Sequence, residues 1–287
     1  MAVARSDAAP ADRPYRGPGA DRPVGIPLPP DHLPLFRRWQ LRKSWHYISL
    51  WSPELVVCAN AVRVGPLRQE YWAVWDRVDR RLWKRTHVFR HRVRPVPDRL
   101  VLGDGEVWID VALDPTDEFE VYRPDGRAYI WSAKEFGAHA KGTIRLGRDQ
   151  RRFEGAAFVD IDAGYHARHT SWRWMAGAGP DQSGRAVAWS GIVGLMDTPE
   201  ASERTLWVDG AGYEIGPVRF SEDLTSMAFA EGGELRFTEE AVLAIKRNFL
   251  IIRSNYAHAF GTYSGTLPGG IEVREGFGVR ERFDASW

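Results

Sequence analysis

The residues best suited to chemistry lie at positions 160–174, where two aspartates, two histidines, two arginines and two tryptophans occur close together. Asp160 and Asp162 are two residues apart, so on a β-strand their side chains face the same side. Two neighbouring carboxylates repel each other, which raises the pKa of one of them and makes it a candidate proton donor. Alternatively, both line a solvated strand face, or one caps the turn at Gly164.

Two histidines follow these aspartates and are three residues apart. A histidine beside a carboxylate is a suitable general acid or base near neutral pH. The structural alternative is that each histidine binds backbone groups at a domain junction. The predicted catalytic residues are Asp160, Asp162, His166 and His169.

A metal site is a weaker interpretation of the same histidines. Zinc needs three or four ligands, no cysteine is nearby, and the remaining ligands would have to be Asp162 or distant histidines. We therefore expect neither a metal nor a cofactor. The distant histidines considered are His87, His91 and His258.

Aromatic and basic residues around the cluster predict a binding pocket. Trp172 and Trp174 share one strand face and would form an apolar wall. Each aromatic face would stabilise a developing cation by about 0.5–2 kcal/mol. Arg168 would hold a carboxylate or the polar end of a ligand. The predicted ligand-binding residues are Tyr165, Arg168, Trp172, Trp174 and Trp189.

The elements that must position these residues are predicted to be β-strands. Short runs alternate between apolar and polar residues, as at 106–111, and turn signals such as Asp125-Gly126 and Asp209-Gly210 separate them. Only residues 239–248 have a helical pattern. The sequence therefore predicts an all-β protein with little helix, built from two antiparallel barrel or sheet units packed together.

Three segments are expected along the chain. Residues 1–34 are rich in Pro, Ala, Arg and Asp, with seven prolines within residues 1–30, and are predicted to be disordered. The first β unit is predicted at residues 35–150 and the second at residues 151–287.

Charge and composition restrict partners and location. The 287 residues carry a net charge of +1, but residues 36–99 hold fifteen Arg or Lys against five Asp or Glu. This basic region either docks on the acidic remainder or contacts an anionic partner, including a membrane surface. No nucleic-acid-binding motif occurs, so nucleic acid is not expected as a partner.

A single cysteine, Cys58, and the absence of an apolar leader or span predict a cytoplasmic protein.

Two segments carry a resemblance to a known family. The first is Tyr165-His166-Ala167-Arg168-His169-Thr170-Ser171-Trp172-Arg173-Trp174. The second runs from Phe260-Gly261-Thr262-Tyr263 through Gly276-Phe277-Gly278-Val279-Arg280-Glu281 to the terminal Trp287, and Glu203 with Leu206-Trp207-Val208-Asp209-Gly210 fits between them. Over roughly residues 40–287 the chain resembles the bacterial domain of unknown function number 2804.

That family is distantly similar to calycin-like proteins that include carotenoid 1,2-hydratase (hydroxyneurosporene synthase) and the AttH type. The resemblance implies two lipocalin-like barrels and a hydrophobic, often isoprenoid, ligand. In the hydratases, acidic side chains are thought to protonate a carbon–carbon double bond without a cofactor.

The sequence thus favours a cofactor-independent enzyme that uses acid–base chemistry on an isoprenoid- or lipid-like molecule, such as a hydratase, isomerase or cyclase. Asp162 or Asp160 would donate the proton, with His166 or His169 relaying or orienting it. The alternative is a non-catalytic, lipocalin-like carrier, in which the same tryptophans would line a dry cavity and both aspartates would lie outside it.

Overall fold

Two large antiparallel β-sheets dominate the computed structural model, which describes residues 13–22, 33–37, 39–88, 92–96, 98–114, 118–125, 128–249 and 252–286. Up to the end of the first sheet, the strands are β1 (Tyr15–Gly17), β2 (Phe36–Arg37), β3 (Gln40–Leu41), β4 (Lys43–Trp51), β5 (Leu55–Val64), β6 (Leu67–Asp76), β7 (Arg81–Val88), β8 (Val93–Val96), β9 (Arg99–Asp104), β10 (Val107–Leu113), β11 (Phe119–Asp125), β12 (Ala128–Leu146) and β13 (Asp149–Gly164).

The second sheet contains the rest of the strands. They are β14 (His169–Pro180), β15 (Ala186–Val193), β16 (Thr205–Val208), β17 (Ala211–Glu214), β18 (Val218–Phe220), β19 (Ser226–Phe229), β20 (Glu234–Phe249), β21 (Ile252–Leu267) and β22 (Ile271–Ser286). The helical segments among the described residues are two 3-10 turns, Gly19–Asp21 and Pro268–Gly270. None of the described helices is long and apolar enough to cross a membrane.

The two sheets share one strand plan, which makes each a curled half-barrel. Their orders are β7-β6-β5-β4-β13-β12-β10-β9-β8 and β17-β16-β15-β14-β22-β21-β20-β19-β18. In each unit the first long strand lies beside the last one, β4 against β13 and β14 against β22. In the first unit, β11 pairs with β12 and β1 pairs with β11. The prediction of two packed, calycin-like all-β units is confirmed.

Three apolar clusters hold the sheets together. One contains only first-sheet residues, a second only second-sheet residues, and a third joins residues of both sheets. On β4, Ile48 and Leu50 belong to the first cluster, whereas Tyr47 and Trp51 belong to the joining cluster. Because alternate residues of a strand face opposite sides, such a strand is apolar on both faces.

One prediction about local structure was wrong. Residues 239–248 were predicted to be helical, yet they lie within β20. Leu243 and Ile245 pack in the joining cluster, whereas Ala244 and Lys246 are exposed, so this part of the strand has one covered face and one exposed face. A register shift between Glu239 and Ala241 interrupts the alternation, and good helix formers such as Glu, Ala, Leu and Lys occupy the segment.

The boundary between the units also differs from the predicted 150/151 division. β13 pairs with β4 and β12, so it completes the first sheet, and the chain reaches the second sheet through residues 165–168. The predicted division falls just after the two-residue hairpin between Leu146 and Asp149, which joins β12 and β13 of the first sheet. Gly147 has φ of 65° there, a conformation that glycine adopts at low cost.

Part of the segment predicted to be disordered is ordered. Residues 1–12 and 23–32 lie outside the described residues, but Tyr15–Gly17 extends the first sheet along β11. Arg16 stacks on Phe119 and hydrogen-bonds the Ser202 carbonyl and the Thr205 hydroxyl of the second unit. The predicted disorder therefore does not extend to this strand, because backbone pairing and Arg16 bind it to both units.

Candidate active site between the two sheets

A cavity of about 240 Å³ lies between the two sheets. It opens off the joining cluster, so strands of both units contribute to its walls. Its apolar walls are Trp45, Tyr47, Val62, Trp172, Trp174, Ile192, Ile245 and Phe283. Among the lining residues, seven buried or partly buried side chains can carry charge: Lys43, Arg68, Lys134, Asp160, Glu203, Arg247 and Glu281. A mostly apolar cavity with a few convergent polar groups suits a small hydrophobic ligand.

One acidic centre is built around a buried lysine. Lys134 Nζ lies 2.8 Å from Asp160 Oδ1 and 3.1 Å from Glu203 Oε2. Asp160 is the cross-strand partner of Lys134 on β13, whereas Glu203 enters from the loop before β16. The Glu203 backbone N–H donates to the Met196 carbonyl at 2.9 Å, which fixes the loop over the cavity.

The protonation of this centre is set by burial and by its three charges. Burial raises the pKa of Glu203 to about 7, and the negative charge of Asp160 adds to the effect while Lys134 opposes it. Burial acts to lower the pKa of Lys134, but its two carboxylate partners outweigh burial and raise that pKa. Lys134 is therefore a fixed cation, and Glu203 exchanges its proton near neutral pH.

The second acidic centre is a carboxylate held by three donors. Glu281 Oε1 lies 2.8 Å from His258 Nδ1 and accepts the Tyr256 hydroxyl at 2.5 Å, and Glu281 Oε2 accepts the Trp172 indole N–H at 3.1 Å. Burial acts to raise the pKa of Glu281, yet these hydrogen bonds and the nearby His258 bring it below its ordinary value. Since an ionised carboxylate only accepts hydrogen bonds, His258 Nδ1 carries a proton.

A chain of hydroxyl groups extends from this carboxylate to the first sheet. Tyr71 donates its hydroxyl hydrogen to the Tyr256 hydroxyl oxygen at 2.8 Å, and Asn60 Nδ2 donates to the Tyr71 hydroxyl at 2.9 Å. Burial, reinforced by the charge of Glu281, raises the pKa of both tyrosines well above the ordinary value. Both phenols therefore stay protonated and orient the network across the sheet interface.

Two of the three carboxyl groups on the cavity, Glu203 and Glu281, have opposite protonation preferences. Burial outweighs Lys134 and Ser132 at Glu203 and raises its pKa, whereas hydrogen bonds and His258 outweigh burial at Glu281 and lower its pKa. Such a pair can supply a proton to one atom of a ligand and accept a proton from another. No group of three or more metal-binding side chains occurs in the described part of the chain.

The sequence profile of one family, Domain of unknown function (DUF2804), matches residues 99–287. The chain belongs to the DUF2804 family. The family resemblance predicted from the sequence is thereby confirmed. Among proteins with curated functions, none matches this DUF2804 protein in sequence.

Two solved structures share the fold of this DUF2804 protein. A candidate AttH protein from Nitrosomonas europaea has a TM-score of 0.55 and 13% sequence identity, over 89% of this chain and 97% of its own. Kievitone hydratase from Nectria haematococca has a TM-score of 0.52 and 10% identity, over 85% of this chain and 88% of its own. At these identities the likeness concerns the fold, and it agrees with the AttH-like, hydratase-like relationship expected from the sequence.

Three of the predicted site residues of the DUF2804 protein line the cavity: Asp160, Trp172 and Trp174. Trp172 stacks on Phe283 with ring centroids 3.9 Å apart and on Trp45 at 5.7 Å, so the aromatic wall continues onto the first sheet. The Trp174 indole N–H donates to Ser190 Oγ at 2.9 Å, which leaves its ring face toward the apolar wall.

Asp162 and His166 lie behind the cavity wall. Both side chains are 1% exposed, and His166 Nε2 lies 3.2 Å from Asp162 Oδ1. Burial, together with the charge of Asp160, raises the pKa of Asp162 well above its ordinary value. The raised pKa of one aspartate was anticipated from the sequence, but neither residue lines the cavity, so direct proton donation by Asp162 is not supported.

The other predicted site residues point elsewhere. Arg168 and His169 are exposed, and His169 lies beside Asp284 and Ser286 at the surface. Tyr165 is buried in a side cluster and donates its hydroxyl hydrogen to the Pro34 carbonyl. Trp189 is buried inside the second sheet against Tyr263. Tyr165, Arg168 and His169 lie at or beside the crossover between the sheets at 165–168. Trp189 on β15 faces the cluster inside the second sheet, whereas its neighbour Ala188 faces the joining cluster.

Four functional candidates were missed by the sequence interpretation: Lys134, Glu203, His258 and Glu281. Glu203 and Glu281 occurred in the segments that carry the family resemblance, but nothing local marked them as site residues. His258 was considered only as a distant metal ligand. The available signal was a charged residue between apolar residues of one strand face, as at Lys134 between Ile130 and Phe136.

Proposed function

We propose that this protein is a cofactor-independent enzyme that uses acid–base chemistry on a carbon–carbon double bond of a hydrophobic small molecule. The observation that carries the proposal is one apolar, tryptophan-walled cavity onto which both Glu203 and Glu281 open. The reaction classes that fit are hydration, double-bond isomerisation and cyclisation.

In the proposed mechanism, the protonated Glu203 carboxyl donates its hydrogen to one alkene carbon, leaving a carbocation at the other. The faces of Trp172 and Trp174 stabilise that cation and exclude bulk water. For hydration, one water oxygen bonds to the cationic carbon while Glu281 accepts the departing water proton. For isomerisation or cyclisation, Glu281 accepts a proton from carbon instead. Proton exchange with solvent then restores both carboxyl groups.

Lys134 and His258 act as positioning residues in this scheme. Lys134 holds Asp160 and Glu203 within 3.1 Å of its Nζ, which neutralises their mutual repulsion. His258 and Tyr256 hold the Glu281 carboxylate in one orientation. Kievitone hydratase has the same fold, and this supports hydration over the other two reaction classes.

The direct test incubates the purified protein with isoprenoid alkenes in H₂¹⁸O or D₂O and follows products by mass spectrometry. Hydration inserts one ¹⁸O, whereas isomerisation inserts deuterium without oxygen. A heat-denatured sample measures the uncatalysed background. Unchanged substrates across the panel, with binding demonstrated, would contradict the enzymatic proposal.

Because the mechanism needs protonated Glu203 and ionised Glu281, kcat/KM should have a bell-shaped dependence on pH. The acid form of Glu203 is required, so kcat/KM should fall as pH rises through about 7, the raised pKa of this group. The ionised form of Glu281 is required, so kcat/KM should also fall when pH drops below the lowered pKa of this group. Initial rates between pH 3.5 and 9 measure both limbs, and a rate still rising above pH 8 would contradict the assignment of Glu203.

A second candidate function is a carrier of the same hydrophobic molecules. The predominance of aromatic and aliphatic side chains on the cavity walls favours it. Native mass spectrometry with lipid extraction would then recover a bound ligand chemically unchanged. Turnover of that ligand by the purified protein would exclude a carrier without activity.

A further inference from the structure

One end of the cavity carries an arginine and a serine that face each other across two strands. Arg247 on β20 and Ser254 on β21 are direct cross-strand partners, and both side chains line the cavity. Each is partly buried. Neither side chain forms a hydrogen bond or ion pair with the residues that the structure describes. A guanidinium and a hydroxyl are therefore available to a ligand at this end.

The arginine contributed by the first sheet does not play the same role. Arg68 also lines the cavity, but its Nη2 lies 2.7 Å from Glu70 Oε1, a fully buried carboxylate. Arg68 is thus neutralised within the protein, whereas Arg247 is not. Near Arg68, the apolar lining residues Leu67 and Val88 are 44% and 47% exposed and form an apolar edge of the cavity.

The arginine end and the acidic end lie along one strand. Ser254, Tyr256 and His258 alternate along β21 and so share a face, and His258 holds Glu281. Four residues of extended strand separate Ser254 from His258, a span of about 13 Å. A ligand bound at Arg247 would pass Ile245, Tyr256 and Phe283 before it reaches Glu281.

We infer that the ligand is an amphiphilic carboxylic acid whose carboxylate binds Arg247 and Ser254 and whose apolar chain extends to the acidic centres. The planar guanidinium fork matches a carboxylate with two parallel hydrogen bonds, and the serine hydroxyl donates a third. The inference rests on the proposed function for the chemistry at the far end of the chain, but its binding part can be measured separately.

The test compares matched acids and alcohols by titration calorimetry, with citronellic acid against citronellol and farnesoic acid against farnesol. The wild-type protein should bind each acid at least about tenfold more tightly than its alcohol, since a hydrogen bond to a charged group is worth more than one to a neutral group. Arg247→Gln should remove that preference and leave alcohol affinity within about twofold. Arg253→Gln, which changes an exposed arginine on the neighbouring strand β21, is the matched control.

Each outcome has a separate meaning for the two proposals. Equal affinity for acid and alcohol, no acid binding, or the same affinities in Arg247→Gln and Arg253→Gln would overturn the carboxylate inference. Acid preference lost in Arg247→Gln, without turnover of either acid, supports the inference and contradicts the enzyme. Turnover of the alcohols at the rate of the acids supports the enzyme and overturns the inference.

Discussion

Replacing Glu203 by glutamine is expected to lower kcat about 10²–10⁴-fold, the usual contribution of a general acid. Glutamine keeps the size of the side chain and one hydrogen-bond acceptor toward Lys134, but it has no carboxyl proton to donate. The fall of kcat/KM above pH 7 should disappear in Glu203→Gln, because that limb reports the Glu203 carboxyl. Ligand affinity should stay close to that of the wild type.

The matched control is Glu200→Gln, which changes an exposed carboxylate three residues earlier in the same loop. Its activity and pH profile should match the wild type. Circular dichroism and thermal melting establish that both variants are folded. If Glu203→Gln retains full activity with an unchanged alkaline limb, Glu203 is not the proton donor.

Replacing Lys134 by methionine is expected to lower the free energy of unfolding by about 3–5 kcal/mol at pH 7.5, because it leaves buried carboxylates without their cation. Lys134 is 3% exposed and lies against both Asp160 and Glu203. Methionine has a similar length, so the loss reflects charge more than volume. Urea denaturation followed by tryptophan fluorescence measures the change.

The loss of unfolding free energy in Lys134→Met should increase as pH rises. Lys134 opposes the raised pKa of Glu203, so without this lysine the pKa of Glu203 in the folded protein rises further above its unfolded value and the folded state binds more protons. The destabilisation of Lys134→Met should therefore be smaller at pH 5 than at pH 8. Lys141→Met, an exposed lysine on the same strand, should change stability by less than about 0.5 kcal/mol at either pH. Equal losses in both variants would show that the ion cluster contributes nothing.

The β-strands could be predicted because the sequence patterns that indicate a strand lie within the strand itself or in its turns. Alternation at residues 106–111 and turn residues such as Asp209-Gly210 report the burial and backbone geometry of their own segments. Residues 239–248 were predicted wrongly, because they are rich in good helix formers and a register shift between Glu239 and Ala241 interrupts their alternation. Pairing with β21 makes the segment a strand, and that pairing is a tertiary property that a short window of sequence does not record.

In the candidate site, too, the residues that local sequence marked were predicted, and the direction of their side chains was not. Asp160, Trp172 and Trp174 were identified because a dense local cluster marked them, and all three line the cavity. In the same cluster, Arg168 and His169 face solvent and Tyr165 a separate core, because the chain turns there between the sheets.

By itself the sequence determined the all-β architecture, the family and one aromatic wall of the cavity, because each depends on residues close together in the chain. Only the tertiary structure decided that the cavity lies between the sheets and that Glu203 and Glu281 line it together with Asp160. Glu203 meets Lys134 from the other sheet, 69 positions away, and Glu281 meets His258 across neighbouring strands. Their protonation follows from burial and from these distant partners, which exist only once the two sheets have packed together.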